Sequence, residues 1–462
     1  MHKIFSPFAL QSHYSILPSA SYQKVSFVNM APIPARQYDI VLLGATGYTG
    51  KLCAQHITTN LPTNLRWAVA GRSEAKLSQL ITDLKPLNAD RVQPGLSFCN
   101  QSQRKPTDSL AEIEIAALIF EELNTLAKKT KVLLNTIGPY HLYSTPVVEA
   151  CVNSGTHYLD VTGETPWVLE IISKYHDTAK AKHAIIIPEM GIESSPSDLL
   201  AWSLTDLLRK KCSTGTKDIT AGMKISGMAS GGTLKTIGSL LGTYSMKEMA
   251  AARKPWAFSP VPGPKASYSP SLFTRILGVR HAPEIGILTT SIFGGGNTAI
   301  VQRSWGLLDD GALYGRKFEY HEYLRVGSTI MGVVIHIGLV FTAIAMAFSP
   351  FRWLFGKIAY APGTGPSQES HSKELLDIRA IATADENGSR PRRALGRLRY
   401  TGGMYYLSGI FLAEAAMVLL NDDALTAKLD GGVLTPAMLG QPFIDRLRKS
   451  GLVIETEMLP YE

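Results

Sequence analysis

The sequence predicts an α/β fold: a doubly wound parallel sheet followed by a second domain of mostly antiparallel sheet. Three observations predict it. Short apolar runs alternate with helical stretches from Asp39 to Asp198, the pattern of strand–helix–strand units. The first run ends in a glycine-rich turn that opens directly into a helix. After Asp198 strand-like runs follow one another without regular helices between them.

The elements follow in order. Asp39–Leu43 is an apolar run ending in glycine, as a strand buried on both faces reads. A helical stretch starts at Tyr48. Leu65–Ala70 is a second strand and Glu74–Leu84 a helix. Val132–Asn135 is a third strand, Pro146–Ser154 a helix, His157–Val161 a strand, Pro166–Lys182 a helix and Ala184–Ile187 a strand. Beyond Asp198, Ile219–Gly227, Ile285–Phe293 and Thr298–Leu307 read as strands, with Gly294–Asn297 as the turn between the last two. Lys254–Pro270 is a Pro- and Ser-rich surface loop. Ser408–Leu420 is helical and Gly431–Gly432 a turn.

The 462 residues suggest more than one domain. Residues 1–37 form a disordered or targeting extension, 38–198 the first domain, 199–400 the second, and 401–462 a C-terminal segment. The first 38 residues hold six Ser, three basic residues and no acid, a weaker match to a mitochondrial presequence than to a plain tail. With 45% hydrophobic and 18% charged residues the chain is globular. A net charge of +8 spread over this length does not call for nucleic acid. Four scattered cysteines (Cys53, Cys99, Cys151, Cys212) give neither a disulfide framework nor a metal site.

The sharpest motif is Gly44-Ala45-Thr46-Gly47-Tyr48-Thr49-Gly50. Gly44 permits the turn, Gly47 lets a pyrophosphate approach the backbone, and Gly50 lets the helix pack close to the sheet. N–H groups at the helix start face the phosphates. This is the phosphate loop of a Rossmann-type dinucleotide site. The second strand ends Ala70-Gly71-Arg72-Ser73, with no acid where an NAD site usually holds the ribose 2′-hydroxyl. A guanidinium suits a 2′-phosphate instead, and Ser73 can donate to it. The expected cofactor is NADP(H). Asn135, Thr136 and Gly138 end the next strand and border the expected nicotinamide ribose.

These runs, with Asn135-Thr136-Ile137-Gly138-Pro139-Tyr140, Gly155–Glu164, Gly191–Asp198, Ser230–Thr233 and Gly431–Pro436, resemble the saccharopine dehydrogenase-like oxidoreductase family over residues 38–460. That family includes animal proteins found with lipid droplets and bacterial trans-acting enoyl reductases of complex-lipid biosynthesis. The resemblance implies an NADP-dependent Rossmann fold, a second α+β domain, and a C-terminal part that packs back on the first domain. It implies lysine metabolism much less, because no cluster of arginines is evident in the middle domain to clamp several carboxylates.

Reducing a conjugated C=C needs hydride at one carbon and a proton at the next. Tyr140, His141 and Tyr143 are the candidate proton donors. Glu164 and Asp198 read as acceptors for backbone amides or helix caps. The expected activity is an NADPH-dependent reductase of a lipid- or polyketide-like acyl substrate, its C=C specificity carried by the resemblance. The alternatives are a lipid-surface protein that binds NADP(H) without turnover, and an imine or ketone reductase. A homodimer stays open.

Between Arg325 and Arg352 lie 26 residues without formal charge. Residues 326–360 read as a buried core helix, a single span, or a hairpin turned at Pro350 with Arg352 and Lys357 at the headgroups. The hairpin keeps the two domains on one side, at the cytoplasmic face of a membrane or lipid droplet, where five arginines within 390–399 add attraction to anionic lipid.

Overall fold

The computed structural model describes residues 36–88, 90–91, 112–115, 118–227, 231–267, 269–345, 373–388 and 390–461. The N-terminal extension and the hairpin turn at Pro350 lie outside them.

The first sheet has seven parallel strands in the order β13-β6-β5-β4-β1-β2-β3. Its strands are β1 (Tyr38–Leu43), β2 (Trp67–Gly71), β3 (Glu112–Ile115), β4 (Thr130–Asn135), β5 (His157–Asp160), β6 (Ile185–Ile187) and the distant β13 (Gly432–Val433). Helices α1 (Tyr48–Asn60), α2 (Glu74–Leu84), α3 (Phe120–Lys129), α4 (Tyr140–Tyr143), α5 (Thr145–Ser154) and α6 (Thr165–Ala181) connect them. Alternate strand residues feed two cores: Ile40 and Leu42 face α1, while Val41 and Leu43 face α3 and α5. Crossovers over both faces are the doubly wound pattern expected from the sequence. The sequence reading passed over β3 and α3. The charged, alternating Glu-Ile-Glu-Ile of β3 is what an edge strand shows, not a buried run.

The second sheet has the order β14-β12-β11-β7-β10-β9-β8. Its strands are β7 (Thr216–Ser226), β8 (Arg280–Ala282), β9 (Gly286–Thr289), β10 (Glu319–Val326), β11 (Leu375–Ala384), β12 (Arg393–Thr401) and β14 (Val453–Met458). All neighbours pair antiparallel except β7 with β10. Helix α7 (Ser195–Cys212) packs on its inner face so closely that a Cβ on Gly396 would sit 3.0 Å from Leu200 and Leu204. Around it lie α8 (Gly231–Thr243), α9 (Met246–Ala252), α10 (Leu272–Leu277), α11 (Gly294–Leu307), α12 (Thr329–Ala345), α13 (Met404–Asn421), α14 (Asp423–Leu429) and α15 (Gly440–Lys449).

Two sequence expectations fail here. Gly294–Asn297 is not a turn and Thr298–Leu307 is not a strand; together they form α11. The β-branched Thr298, Ile300 and Val301 mimic a strand, but both helix flanks are buried, so the run is apolar without alternation. The strand expected over 285–293 is only Gly286–Thr289.

The C-terminal residues serve both sheets. α13 is a long apolar helix, but it is largely buried and is core. A Cβ on Gly409 would lie 2.8 Å from the Cα of Cys53, so α13 meets α1 backbone to backbone. Arg303 of α11, buried, donates to the carbonyls of Val433 and Phe258 and thereby holds β13 in the first sheet.

The described part of the apolar stretch after Arg325 does not fold into the core. α12 buries only Gly332, while Ile330, Val334, Ile337, Phe341 and Ile344 are each more than half exposed. Gly327 and Gly338 have open space beside them, so only Gly332 serves a close helix contact. Of the five arginines within 390–399, Arg392 pairs with Glu386 and Arg393 with Glu284.

Candidate active site

Four loops leave the carboxyl ends of β1, β4, β5 and β6, where ligands of open parallel sheets bind. The glycine loop comes first. Gly44 has φ +83°, and its N–H donates to the carbonyl of Ala70 at 3.0 Å. The Gly47 N–H closes the turn on the Gly44 carbonyl at 2.9 Å. Gly47 is the N-cap of α1 with no side chain over the helix end. The N–H groups of Thr49 and Gly50 precede the first helical bond, from Lys51 to Gly47, and point where an anion would sit. A Cβ on Gly50 would lie 2.3 Å from the Gly44 oxygen, so that glycine lets α1 sit against the turn. Ala45 is buried beneath the loop and Thr46 half-buried on it. The Tyr48 ring packs edge-on against Tyr405 at 5.2 Å, with its phenol pushed up to about 12 by burial, so it contributes backbone rather than acid.

Arg72 stands exposed at the end of β2, and Ser73 caps α2 without using its hydroxyl in the cap. Among the described residues, β2 ends in Gly71-Arg72-Ser73 without the carboxylate that a 2′-hydroxyl would need there. These residues fit NADP(H): a cradle that a Cβ would narrow, an uncapped helix start, and a cation at the ribose position.

The β4 loop differs from expectation in detail. Asn135 is fully buried, donating to Ser144 Oγ at 2.8 Å and Tyr158 Oη at 3.0 Å and accepting the Ile137 N–H at 3.0 Å. Its side chain shapes the loop and is not available to the ribose. Thr136 Oγ1 donates to the Leu43 carbonyl at 3.0 Å, tying this loop to the glycine loop. Gly138 precedes a cis Pro139 and lies against the Tyr140 ring.

The three candidate acids separate. Tyr140 is packed on Trp167, its phenol pushed far up by burial and turned toward the Asn135 carbonyl; it is a wall, not a donor to a ligand. Tyr143 is exposed on the outside of α4. His141 is held instead: Glu164 accepts from its Nδ1 at 2.6 Å, its N–H at 2.8 Å and the Tyr140 N–H at 2.7 Å. Nε2 of His141 is buried without a partner among the described residues, and its ring lies 5.8 Å from that of Tyr244. Glu164 thus caps α4, as the sequence suggested. Asp198 likewise accepts from the Ala437 N–H at 2.8 Å and from Ser304 at 2.6 Å.

Sequence reasoning weighed Glu164 and Asp198 but passed over three other acids of the β5 and β6 loops, Asp160, Glu189 and Glu193. Asp160 is buried and held by Thr162, Glu189 and Tyr158, and burial pushes it up to about 7. Glu189 sits at φ +57°, its Oε1 buried and unpartnered among the described residues and its carboxyl pushed well up by burial. Glu193 is different. It is partly accessible, makes no hydrogen bond among the described residues, and rests on Gly163, where a Cβ would lie 1.8 Å from Oε2. Burial, and then the neighbouring Glu164 charge, push it up to about 7. The available signal was an acid in each of two small-residue loops at strand ends.

Fold and site together define an oxidoreductase of the doubly wound class that takes NADP(H). The comparisons agree. Residues 40–187 match the saccharopine dehydrogenase NADP-binding domain. A putative trans-acting enoyl reductase of Mycobacterium tuberculosis is 31% identical over 92% of this chain and 98% of its own length. The trans-acting enoyl reductase of Mycobacterium ulcerans is 30% identical over 92% and 99%. Apo saccharopine dehydrogenase (L-Glu forming) of Saccharomyces cerevisiae shares the fold at TM-score 0.51 and 11% identity, covering 92% of this chain and all of that one. The chain belongs to the saccharopine dehydrogenase-like family and is an NADP-dependent oxidoreductase.

Proposed function

We propose that the protein reduces the conjugated C=C of a hydrophobic acyl substrate with NADPH, working at a lipid surface. The observation that carries the reaction is Glu193: a partly accessible carboxyl, raised to about 7, at the strand ends where the nicotinamide belongs. When bound, NADPH supplies hydride to the β-carbon. Glu193 in its protonated form donates to the α-carbon, as a carboxyl near neutrality can. Glu164 and His141 hold the β4 loop beside it. The names of the bacterial relatives support the enoyl reading.

Mixing the protein with NADPH and a long-chain trans-2-enoyl thioester should consume NADPH and yield the saturated thioester. Glu193→Gln should lower kcat at least tenfold with little change in NADPH affinity. Turnover of ketones or imines alone would move the reading to the other reductase class. NADPH binding without turnover of any of these would leave a lipid-surface cofactor binder.

The lipid surface is supported by α12 and α10, which expose Ile330, Val334, Ile337, Phe341, Leu272 and Phe273. The full chain should float with vesicles, and Ile337→Glu with Phe341→Glu should release it.

A further inference from the structure

The second sheet has an outer face, turned away from α7, that the reaction does not use. Strand alternation puts Met223, Ile378 and Leu398 inward, buried, and their neighbours Lys224, Asp377, Arg379 and Arg397 outward. Arg325 of β10 joins them. Apart from the arginines of 390–399, the members are scattered along the sequence on separate strands, and the fold brings them together.

The cluster is unbalanced. Five cations, Lys224, Arg325, Arg379, Arg397 and Arg399, share this face with two carboxylates, Asp377 (opposite Lys224 and Arg399) and Glu455 (opposite Arg397), and Asp377 Oδ1 is itself without a hydrogen-bond partner among the described residues. Arg325 Nη2 donates to Asp377 Oδ2 at 2.6 Å. Nε of Arg379 and Nε of Arg397 lie 3.9 and 3.7 Å from Oδ1, too far to bond. Arg379 and Arg397 are also direct cross-strand partners, an unfavourable like-charge pair. Arg325 Nη1, Arg379 Nε and Arg397 Nε are all buried without a hydrogen-bond partner among the described residues. Beside them opens a cavity of about 290 Å³, lined by Lys224, Ile285, Gly286, Arg325, Val326, Gly327 and Arg379. Among the neighbours, Glu284 is taken by Arg393, Arg280 stacks on Tyr323, and Glu455 stands opposite Arg397, outside the cavity lining.

Unpaired guanidinium N–H groups around a cavity with surplus positive charge call for a multivalent oxygen anion. We propose that this cavity binds a phosphate monoester, with Arg325, Arg379 and Lys224 as its ligands. The site lies on the sheet face opposite α7 and is separate from the NADP loop. It does not rest on the reduction reading. The phosphate belongs either to a soluble ester or to a lipid headgroup, since the chain leaves the cavity at Gly327 and enters the exposed apolar α12 at Thr329.

The test uses the full chain saturated with NADP+, so that the cofactor's own phosphate sites are filled. Titration with inorganic phosphate, followed by calorimetry and melting, should show saturable binding and a raised Tm that chloride of equal ionic strength does not give. Lys224→Gln with Arg379→Gln leaves the Arg325–Asp377 pair intact and should weaken phosphate at least tenfold, with NADPH affinity unchanged as the sign of a folded site. Displacement by glycerol phosphate identifies a soluble ester, and displacement only by phosphatidate-containing vesicles, not by pure phosphatidylcholine, a headgroup. Absence of saturable phosphate binding, or equal binding by the double variant, overturns the proposal.

Discussion

The two seven-stranded sheets handle polarity in opposite ways. The first is covered by helices on both faces, so β1, β2 and β6 read as nearly unbroken apolar runs, and its polar chemistry is confined to the loops at strand ends. The second has one face on α7 and the other turned outward, so β10, β11 and β12 alternate and carry charge along their length. In the first sheet function lies where strands stop. In the second it lies across the strands, in side chains that are remote in sequence. A substitution in the glycine loop should therefore affect one local event, and a substitution on the outer face a cross-strand one.

The largest expected effect separates two glycines of one loop. A valine at Gly50 meets the Gly44 oxygen and the Ala45 Cα, backbone that cannot yield, and α1 must lift from the sheet. Gly50→Val should cost at least about 3 kcal/mol of folding stability. Gly47 has φ −72°, and a Cβ there comes only to 3.2 Å from the Gly44 oxygen. Gly47→Val should keep the fold, with Tm shifted by under about 4 °C, yet lose NADPH, because its side chain fills the anion's approach. Calorimetry and a melting curve on both variants decide it. Retained NADPH affinity in Gly47→Val would remove this loop as the phosphate site.

Next in size is the choice of dinucleotide. Arg72→Ala should weaken NADPH by roughly 1.5–3 kcal/mol, the value of a hydrogen bond to a charged group, and leave NADH nearly unchanged. An equal loss for both cofactors would show that Arg72 does not face the 2′-phosphate.

Legibility in the sequence follows the same division. The first sheet could be read because a parallel strand, its turn and its helix are contiguous: Glu74–Leu84 is the helix expected, residue for residue. The glycine loop and Arg72 are legible for the same reason. What could not be read depends on distance. β13 joins the first sheet beside β6 from far along the chain. Asn135 looks like a ribose ligand until Ser144, Tyr158 and Ile137 occupy its amide. Tyr140 looks like an acid until Trp167 covers it. Glu193 carries no pattern of its own; its character comes from burial beside Glu164, on the loop that follows the preceding strand. α11 was misread because a helix buried on nearly every side loses the periodicity that marks an exposed one.

The smallest effect tests whether Glu193 holds a proton near neutral pH. Its carboxyl titrates near 7 in the folded protein against an ordinary value of 4.5. Below about pH 4.5 both folded and unfolded chains hold the proton, and the contribution to stability is complete. As pH rises from there to 7 the unfolded chain releases its proton first, so folding stability declines, and above 7 the contribution is gone. Glu193 should account for about 1–2 kcal/mol of that decline, less than full burial would give because the side chain is partly accessible. Asp160 and Asp198 titrate near 7 for the same reason, burial, and add slope in the same direction. Glu193→Gln should therefore flatten, but not abolish, the fall in urea-unfolding stability between pH 5 and 8. Turnover by the unsubstituted protein should fall above pH 7 as the donor ionises, and the residual rate of Glu193→Gln should lack that limb. A variant with the full original pH slope would show that Glu193 is ionised throughout this range, and the proton would then have to come from elsewhere in the strand-end loops.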